Sequence, residues 1–161
     1  APVRVNLRIV PFEPALRSHF GRLNREWLER HFKVEPIDAE VLDHPEQRIL
    51  DGGGCILFAL RGDAVVGTCA LLQESPGVYE LTKMAVTFAE QGGGIGRQLL
   101  DAVIAEFSRI GGTTLFLETH SSLKAAISLY ERAGFEHRGR KPDSHYQRSD
   151  TYMVWRDPHA A

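Results

Sequence analysis

The segment Met84-Ala85-Val86-Thr87-Phe88-Ala89-Glu90-Gln91-Gly92-Gly93-Gly94-Ile95-Gly96-Arg97 decides the reading of this chain. A strand-like run leads into a glycine-rich turn, and the turn opens an amphipathic pattern. Ile95, Leu99, Leu100, Val103, Ile104 and Phe107 recur at helical spacing and predict a helix over 94–110. Glycines at such a junction let successive backbone N–H groups converge, and the helix N-terminus adds about half a positive charge. Together they suit phosphate oxygens. A P-loop is excluded because no Lys-Ser or Lys-Thr follows the glycines. A dinucleotide fingerprint starting at Gly92 or Gly94 would place Arg97 or Leu99 where its last glycine belongs. A plain glycine-rich connector is the bland alternative.

Upstream of this segment, three strand-like runs at 55–61, 64–74 and 78–87 are separated by Gly62-Asp63 and Ser75-Pro76-Gly77. They predict an antiparallel meander. Downstream, Gly111-Gly112 ends the helix, Leu115 to Leu117 form a short buried strand, and Leu123, Ala126, Ile127 and Tyr130 mark a second helix stopped at Gly134. Ser121 or Ser122 is the expected cap of that helix. One or two closing strands follow around a polar loop at 138–148. At the front, Val3 to Pro11 alternates as a strand and a helix spans roughly 14–32. An acidic stretch over 35–51 contains a short helix at about 38–44, with a solvated face as its simplest reading. The expectation is one α/β (α+β) domain over 1–161: a mixed, mostly antiparallel sheet of about 6–7 strands flanked by about four helices.

Composition narrows the function. In 161 residues, 43% are hydrophobic and 25% charged, enough for a core, and the net charge of -2 argues against a broadly basic nucleic-acid binder. No apolar run is long enough for a leader or a membrane span, and two cysteines make no disulfide framework. A cytoplasmic protein without nucleic-acid or membrane partners is expected. The seven histidines are scattered, with no metal-ligand spacing. Cys55 and Cys69 fall on neighbouring predicted strands, as core residues.

Gln91-x-x-Gly94-x-Gly96 matches the Gln/Arg-x-x-Gly-x-Gly/Ala motif of the GNAT superfamily of N-acetyltransferases. The strand Glu80 to Val86 and the run Ala126-Ile127-Ser128-Leu129-Tyr130-Glu131-Arg132-Ala133-Gly134-Phe135 resemble the family's fourth strand and second signature helix, in the family's order. With Leu23-Asn24-x-x-Trp27-Leu28, the chain resembles stand-alone bacterial acetyltransferases and acetyltransferase halves fused to winged-helix regulators.

The resemblance implies acetyl transfer from acetyl-CoA, as cosubstrate, to a small-molecule or peptide amine by direct attack in a ternary complex. It leaves a homodimer open. It assigns the coenzyme pyrophosphate to Gln91, Gly92, Gly93, Gly94, Ile95, Gly96 and Arg97, and the pantetheine arm to the backbone of Met84, Ala85 and Val86. Tyr130 would be the acid that protonates the departing thiolate. Glu80 would be the base, sharing a face with Thr82, Met84 and Val86 by period-two alternation, with Glu118 and His120 in reserve. Leu123 stands where the family often has an asparagine on the pantetheine arm. Asn24, Trp27, Phe32, Tyr146 and Arg148 occupy segments that usually govern substrate choice, and Arg138, Arg140, Lys141 and Arg148 form a basic cluster that could meet a 3′-phosphate. A non-catalytic acyl-CoA sensor is the competing reading; the presence of both Tyr130 and Glu80 weighs against it.

Overall fold

The computed structural model describes residues 6–159. In chain order the strands are β1 (Leu7–Pro11), β2 (Cys55–Arg61), β3 (Ala64–Ser75), β4 (Val78–Val86), β5 (Thr114–Thr119), β6 (Phe135–His137) and β7 (Thr151–Trp155). The α-helices are α1 (Arg17–His31), α2 (Pro36–Asp43), α3 (Ile95–Arg109) and α4 (Lys124–Ala133). The strands make one seven-stranded sheet in the order β1-β2-β3-β4-β5-β7-β6. Every neighbouring pair is antiparallel except β4 and β5. Parallel neighbours cannot be joined by a hairpin, and α3 supplies the crossover between these two.

Each predicted helical stripe finds a face of the sheet. Leu99, Leu100, Val103 and Phe107 of α3 pack with Tyr130 of α4 on Leu71, Leu81, Leu115 and Leu117. On the other face, Phe20, Leu23 and Leu28 of α1 and Val41 and Leu42 of α2 pack on Ile56, Phe58 and Ala70. Cys69 is buried and Cys55 half-buried. No helix among the described residues is long and apolar enough to cross a membrane. Among the same residues, no group of His, Cys, Asp and Glu could hold a metal.

The meander runs over the predicted residues to within one position. Differences lie at element ends. The expected first strand includes Val3 and Val5, which fall outside the described residues. The first predicted helix divides into a 3-10 turn at Pro14–Leu16 and then α1. α2 starts at Pro36 because Glu35 and Asp38 form a capping box, with the Glu35 N–H donating to Asp38 Oδ2 at 2.9 Å. A π-helical turn follows at Glu46–Leu50. Neither serine caps α4: Leu123 occupies that position, and Ser121 instead donates its N–H and hydroxyl to Asp150 at 2.8 and 2.6 Å.

The turn before β2 contains a tight approach. A Cβ on Gly54 would lie 2.0 Å from the Leu71 carbonyl oxygen and 3.0 Å from that of Ile49. The Leu71 carbonyl belongs to the β2–β3 ladder and the Ile49 carbonyl accepts the Gly54 N–H at 2.9 Å, so neither can yield freely. Gly52, two residues earlier, meets only the Ile49 oxygen at 3.8 Å. Gly54→Ala is expected to cost about 1–3 kcal/mol and Gly52→Ala to stay within about 0.5 kcal/mol. Denaturant midpoints of the two variants measure the contrast, and equal midpoints would show that the approach is not a constraint.

Candidate active site

β4 carries one residue too many for its partner. Thr68 pairs with Ala85 and Ala70 with Thr82, leaving Lys83 and Met84 opposite Cys69. This is a β-bulge, and Lys83 sits in it at φ +56°, the one described non-glycine residue with positive φ. The bulge breaks the alternation expected from the sequence. Leu81, Met84 and Val86 pack against the α3–α4 core, whereas Ala85 belongs to the α1–α2 core. Glu80 and Thr82 therefore do not share a face with Met84 and Val86.

The second feature is a splay. β4 and β5 pair only at Val78–Thr114, Tyr79–Leu115 and Glu80–Phe116. Past Glu80, no strand among the described residues lies beside the β5-side edge of β4 from Leu81 to Val86. Two adjoining clefts open along this edge.

The larger cleft, about 510 Å³, is lined by Met84, Val86, Gln91, Gly92, Gly94, Ile95 and Gly96 on one side and by Leu123 to Ala126, Leu129 and Tyr130 on the other. Gly94 is the α3 N-cap at φ +86°, and Gly92 has φ +83°. A Cβ at either would meet no atom within 4 Å. These glycines answer to backbone conformation and an open surface, not to packing. The first bond of α3 runs from the Gln98 N–H to the Gly94 carbonyl. The amides of Ile95, Gly96 and Arg97 thus lack intrahelical acceptors. The Gln91 side-chain amide donates to the Val86 carbonyl at 3.2 Å, tying the loop to the strand end. Gly93 is exposed in the loop, Ala85 points away into the core, and Arg97 pairs with Asp101 at 3.0 Å.

The smaller cleft, about 90 Å³, takes in Asn24, Trp27, Phe32, Tyr146 and Arg148, all five of the predicted substrate-side residues, together with Glu80, Glu118 and His120. Trp27, Met84, Leu123, Ala126 and Tyr130 line both clefts. Tyr130 is only 8% exposed, stacked edge-on against Phe135 at 5.9 Å. Its hydroxyl makes no hydrogen bond among the described residues, and burial pushes its pKa up. It is a core aromatic and a cleft residue at once. Glu80 is buried and receives the Tyr146 hydroxyl at 3.3 Å. Burial lifts its carboxyl to about 7; Glu118 and Glu74 push the same way, against Lys83 and the Tyr146 bond. Leu123 contributes an apolar wall where the clefts join. Burial also raises the thiols, Cys55 to about 11.

The profile of the Acetyltransferase (GNAT) family matches residues 20–135. This chain belongs to that family. An IAA acetyltransferase of Azospirillum brasilense is 35% identical to it over 104 residues, 64% of this chain and 63% of the relative. The chain thus spans less than two thirds of that relative's length. A Staphylococcus aureus GNAT acetyltransferase superposes with a TM-score of 0.84 over 93% of this chain and 98% of the other, at 20% identity. The structure of Salmonella typhimurium yncA with its cofactor acetyl-CoA superposes at 0.76 over 96% of both chains, at 23% identity.

In this GNAT chain a buried charge network forms one wall of the smaller cleft. Lys83 donates to Asp38 at 2.7 Å, with side chains 3% and 0% exposed. Arg148 donates to both Asp38 oxygens at 2.7 and 2.9 Å and to Glu35 at 3.1 Å. Glu35 also accepts the Gln147 N–H at 3.0 Å. Glu35 and Asp38 are therefore buried partners, not part of a solvated acidic face. Nor is Arg148 available to a phosphate: Lys141 is likewise held by Glu74 and Asp143, Arg138 by Glu136, and none of the basic cluster lines the larger cleft. Spacing could not reveal the Asp38 pairs, since Lys83 lies 45 residues from Asp38 and Arg148 lies 110.

Burial opposes the charge on Asp38, but Arg148 and Lys83 outweigh it and hold the carboxyl at about 2, below its ordinary 3.8. A depressed carboxyl contributes stability that is complete above its unfolded pKa and lost as pH falls through the folded value. Stability should therefore drop between about pH 4 and pH 2 through this group. Asp38→Asn takes from the buried Lys83 the only carboxylate paired with it among the described residues and leaves Arg148 with Glu35 alone, and is expected to cost about 3–5 kcal/mol at neutral pH. The variant should lose less than the parent on acidification to pH 2. Urea titrations at pH 7, 4 and 2 test both, and parallel acid losses in the two proteins would remove Asp38 from the account.

Proposed function

We propose that this chain, as a single catalytic domain, transfers the acetyl group of acetyl-CoA to a primary amine by direct attack in a ternary complex. The observation that carries this reading is the meeting of two clefts at Tyr130 and Met84. One has the shape and donors for a phosphorylated coenzyme, the other a buried carboxylate.

The residues fit the coenzyme. The open glycine cradle and the free α3 amides offer donors to a pyrophosphate. The unpaired β4 edge over Met84 to Val86 offers backbone groups to an extended amide chain, in the manner of an added strand. When bound, acetyl-CoA supplies the acetyl group as a thioester.

The chain's own groups then handle the protons. An alkylammonium cannot attack, so a proton must leave the acceptor nitrogen first. Glu80, with its carboxyl near 7, is half-ionised at neutral pH and can take that proton. As the new C–N bond forms and the C–S bond breaks, an amide N–H of the bare β4 edge can stabilise charge on the carbonyl oxygen. Tyr130, kept protonated by burial, gives a proton to the leaving sulfur; its position on the lining of both clefts supports that role. As the amide forms, the nitrogen gives up its second proton, which restores the hydroxyl that Tyr130 has lost, and Glu80 returns its own proton to solvent.

Thiol release from acetyl-CoA against a panel of amines tests the reading. Glu80→Gln is expected to lower kcat by about a hundredfold or more and to erase an inflection near pH 7 in kcat/KM. Because Glu80 acts when ionised, the parent rate rises with pH through that value. Tyr130→Phe should lower kcat while coenzyme A still binds, and Gly94→Glu should weaken coenzyme binding itself. Full turnover by Tyr130→Phe would mean that the sulfur takes its proton elsewhere. Coenzyme binding with no amine-dependent thiol release would favour a sensor over an enzyme.

A further inference from the structure

Among the described residues, two buried side-chain polar atoms have no hydrogen-bond partner: Glu118 Oε1 and Ser149 Oγ. Both residues line the smaller cleft. Glu118 lies near the end of β5, and Ser149, only 7% exposed, lies two residues before β7. The β5–β7 ladder pairs Glu118 with Tyr152 and Thr119 with Thr151, which brings the two segments together. Buried polar atoms are almost always partnered, so two orphans on residues that line one narrow cleft mark a place where a ligand supplies the partner.

Charge narrows what that ligand is. The Lys83 ammonium is committed to Asp38, and Arg148 to Asp38 and Glu35. Lys141 feels the Glu118 charge, but its ammonium is held by Glu74 and Asp143. His120 faces Asp150. Glu118 has no ion pair among the described residues, and Glu80 beside it receives only a tyrosine hydroxyl. The protein thus presents two carboxyl groups to the cleft and commits its nearby cations elsewhere. An ammonium carries three donors and no acceptor, which suits a carboxylate oxygen and a hydroxyl oxygen together. Trp27, Phe32 and Tyr146 line the cleft with aromatic rings, which accommodate methylenes; Arg148 already lies over the rings of Phe32 and Tyr146.

We propose that Glu118 and Ser149 form a subsite for a second, protonated amino group of the acceptor, making a slender aliphatic diamine the preferred substrate class. One nitrogen lies toward Glu80 and Tyr130, and the other is held by the Glu118 carboxylate and the Ser149 hydroxyl. The proposal rests on the transfer reading above for the role of the first nitrogen. A monoamine of equal length leaves both orphan atoms bare, and an amino alcohol brings a partner without a charge.

The experiment compares 1,4-diaminobutane, 4-amino-1-butanol and 1-aminobutane as acceptors, by kcat/KM for thiol release. The same three amines are titrated calorimetrically into the protein saturated with coenzyme A. The diamine should exceed the monoamine by about tenfold or more in both measurements, with the amino alcohol between them. Glu118→Gln should bring the diamine-to-monoamine ratio close to one, chiefly through KM, and Ser149→Ala should reduce it by a few fold. A Glu118→Asp variant, which keeps the charge, should retain part of the preference. Equal use of all three amines by the parent protein, or an unchanged ratio in Glu118→Gln, overturns the subsite while leaving acetyl transfer standing. Preferential binding of the diamine without thiol release has the opposite meaning: the subsite stands and the transfer reading fails. If no amine binds or reacts, both are overturned.

Discussion

Beyond Glu80 no strand among the described residues lies beside the inner edge of β4, and the arrangement of both clefts follows from that gap. Backbone N–H and C=O groups must be paired, so a sheet that parts at its centre creates a demand for an extended guest. Pairing with β5 stops after three residues, while β5 turns to β7 for its remaining partners. The bulge at Lys83 acts on the same strand. By inserting one residue it sends Met84 and Val86 to the α3 side and leaves Glu80 on the other. A single strand then lines the larger cleft with Met84 and Val86 and presents Glu80 to the smaller one. Without the extra residue, strict alternation would put all of these side chains on one face.

A lysine in left-handed backbone is costly, and something must hold it there. Asp38 does so from α2, by taking the Lys83 ammonium and both arms of Arg148. Such a network adds little net stability over a well-packed apolar equivalent, because each charge has been stripped of water. What it supplies is position. It fixes α2, the bulge and the loop before β7 to one another through directional bonds, where apolar packing would tolerate sliding.

Much of this was legible in the sequence, for reasons that can be named. The meander was readable because Gly62-Asp63 and Ser75-Pro76-Gly77 punctuate runs of β-forming residues. The α3 loop was readable because glycine spacing directly encodes backbone conformation. The family motifs located Tyr130 and the glycine cradle, and Asn24, Trp27, Phe32, Tyr146 and Arg148 do converge on one cleft. The bulge was not legible, because the residue in the left-handed conformation is a lysine and not the glycine or asparagine that would announce it. Face assignments drawn from alternation therefore failed beyond Thr82. Asp38 and Glu35 looked like members of a solvated acidic run because their cations lie in distant segments, and no local period records a tertiary ion pair. Ser121 satisfied every local criterion for a cap, yet Asp150 claimed both its donors.

The ion network has a bearing on how the molecule comes into being. Arg148 reaches Asp38 across 110 residues of chain and Glu35 across 113. Contacts at such separation form after the local hairpins and helices, since the entropy of closing so long a loop must be met before any bond rewards it. During synthesis the glycine cradle and its helix emerge well before Arg148. The nascent chain can thus present the glycine loop and its helix while Asp38 still lacks its arginine, and the wall of the smaller cleft closes only after Arg148 has emerged.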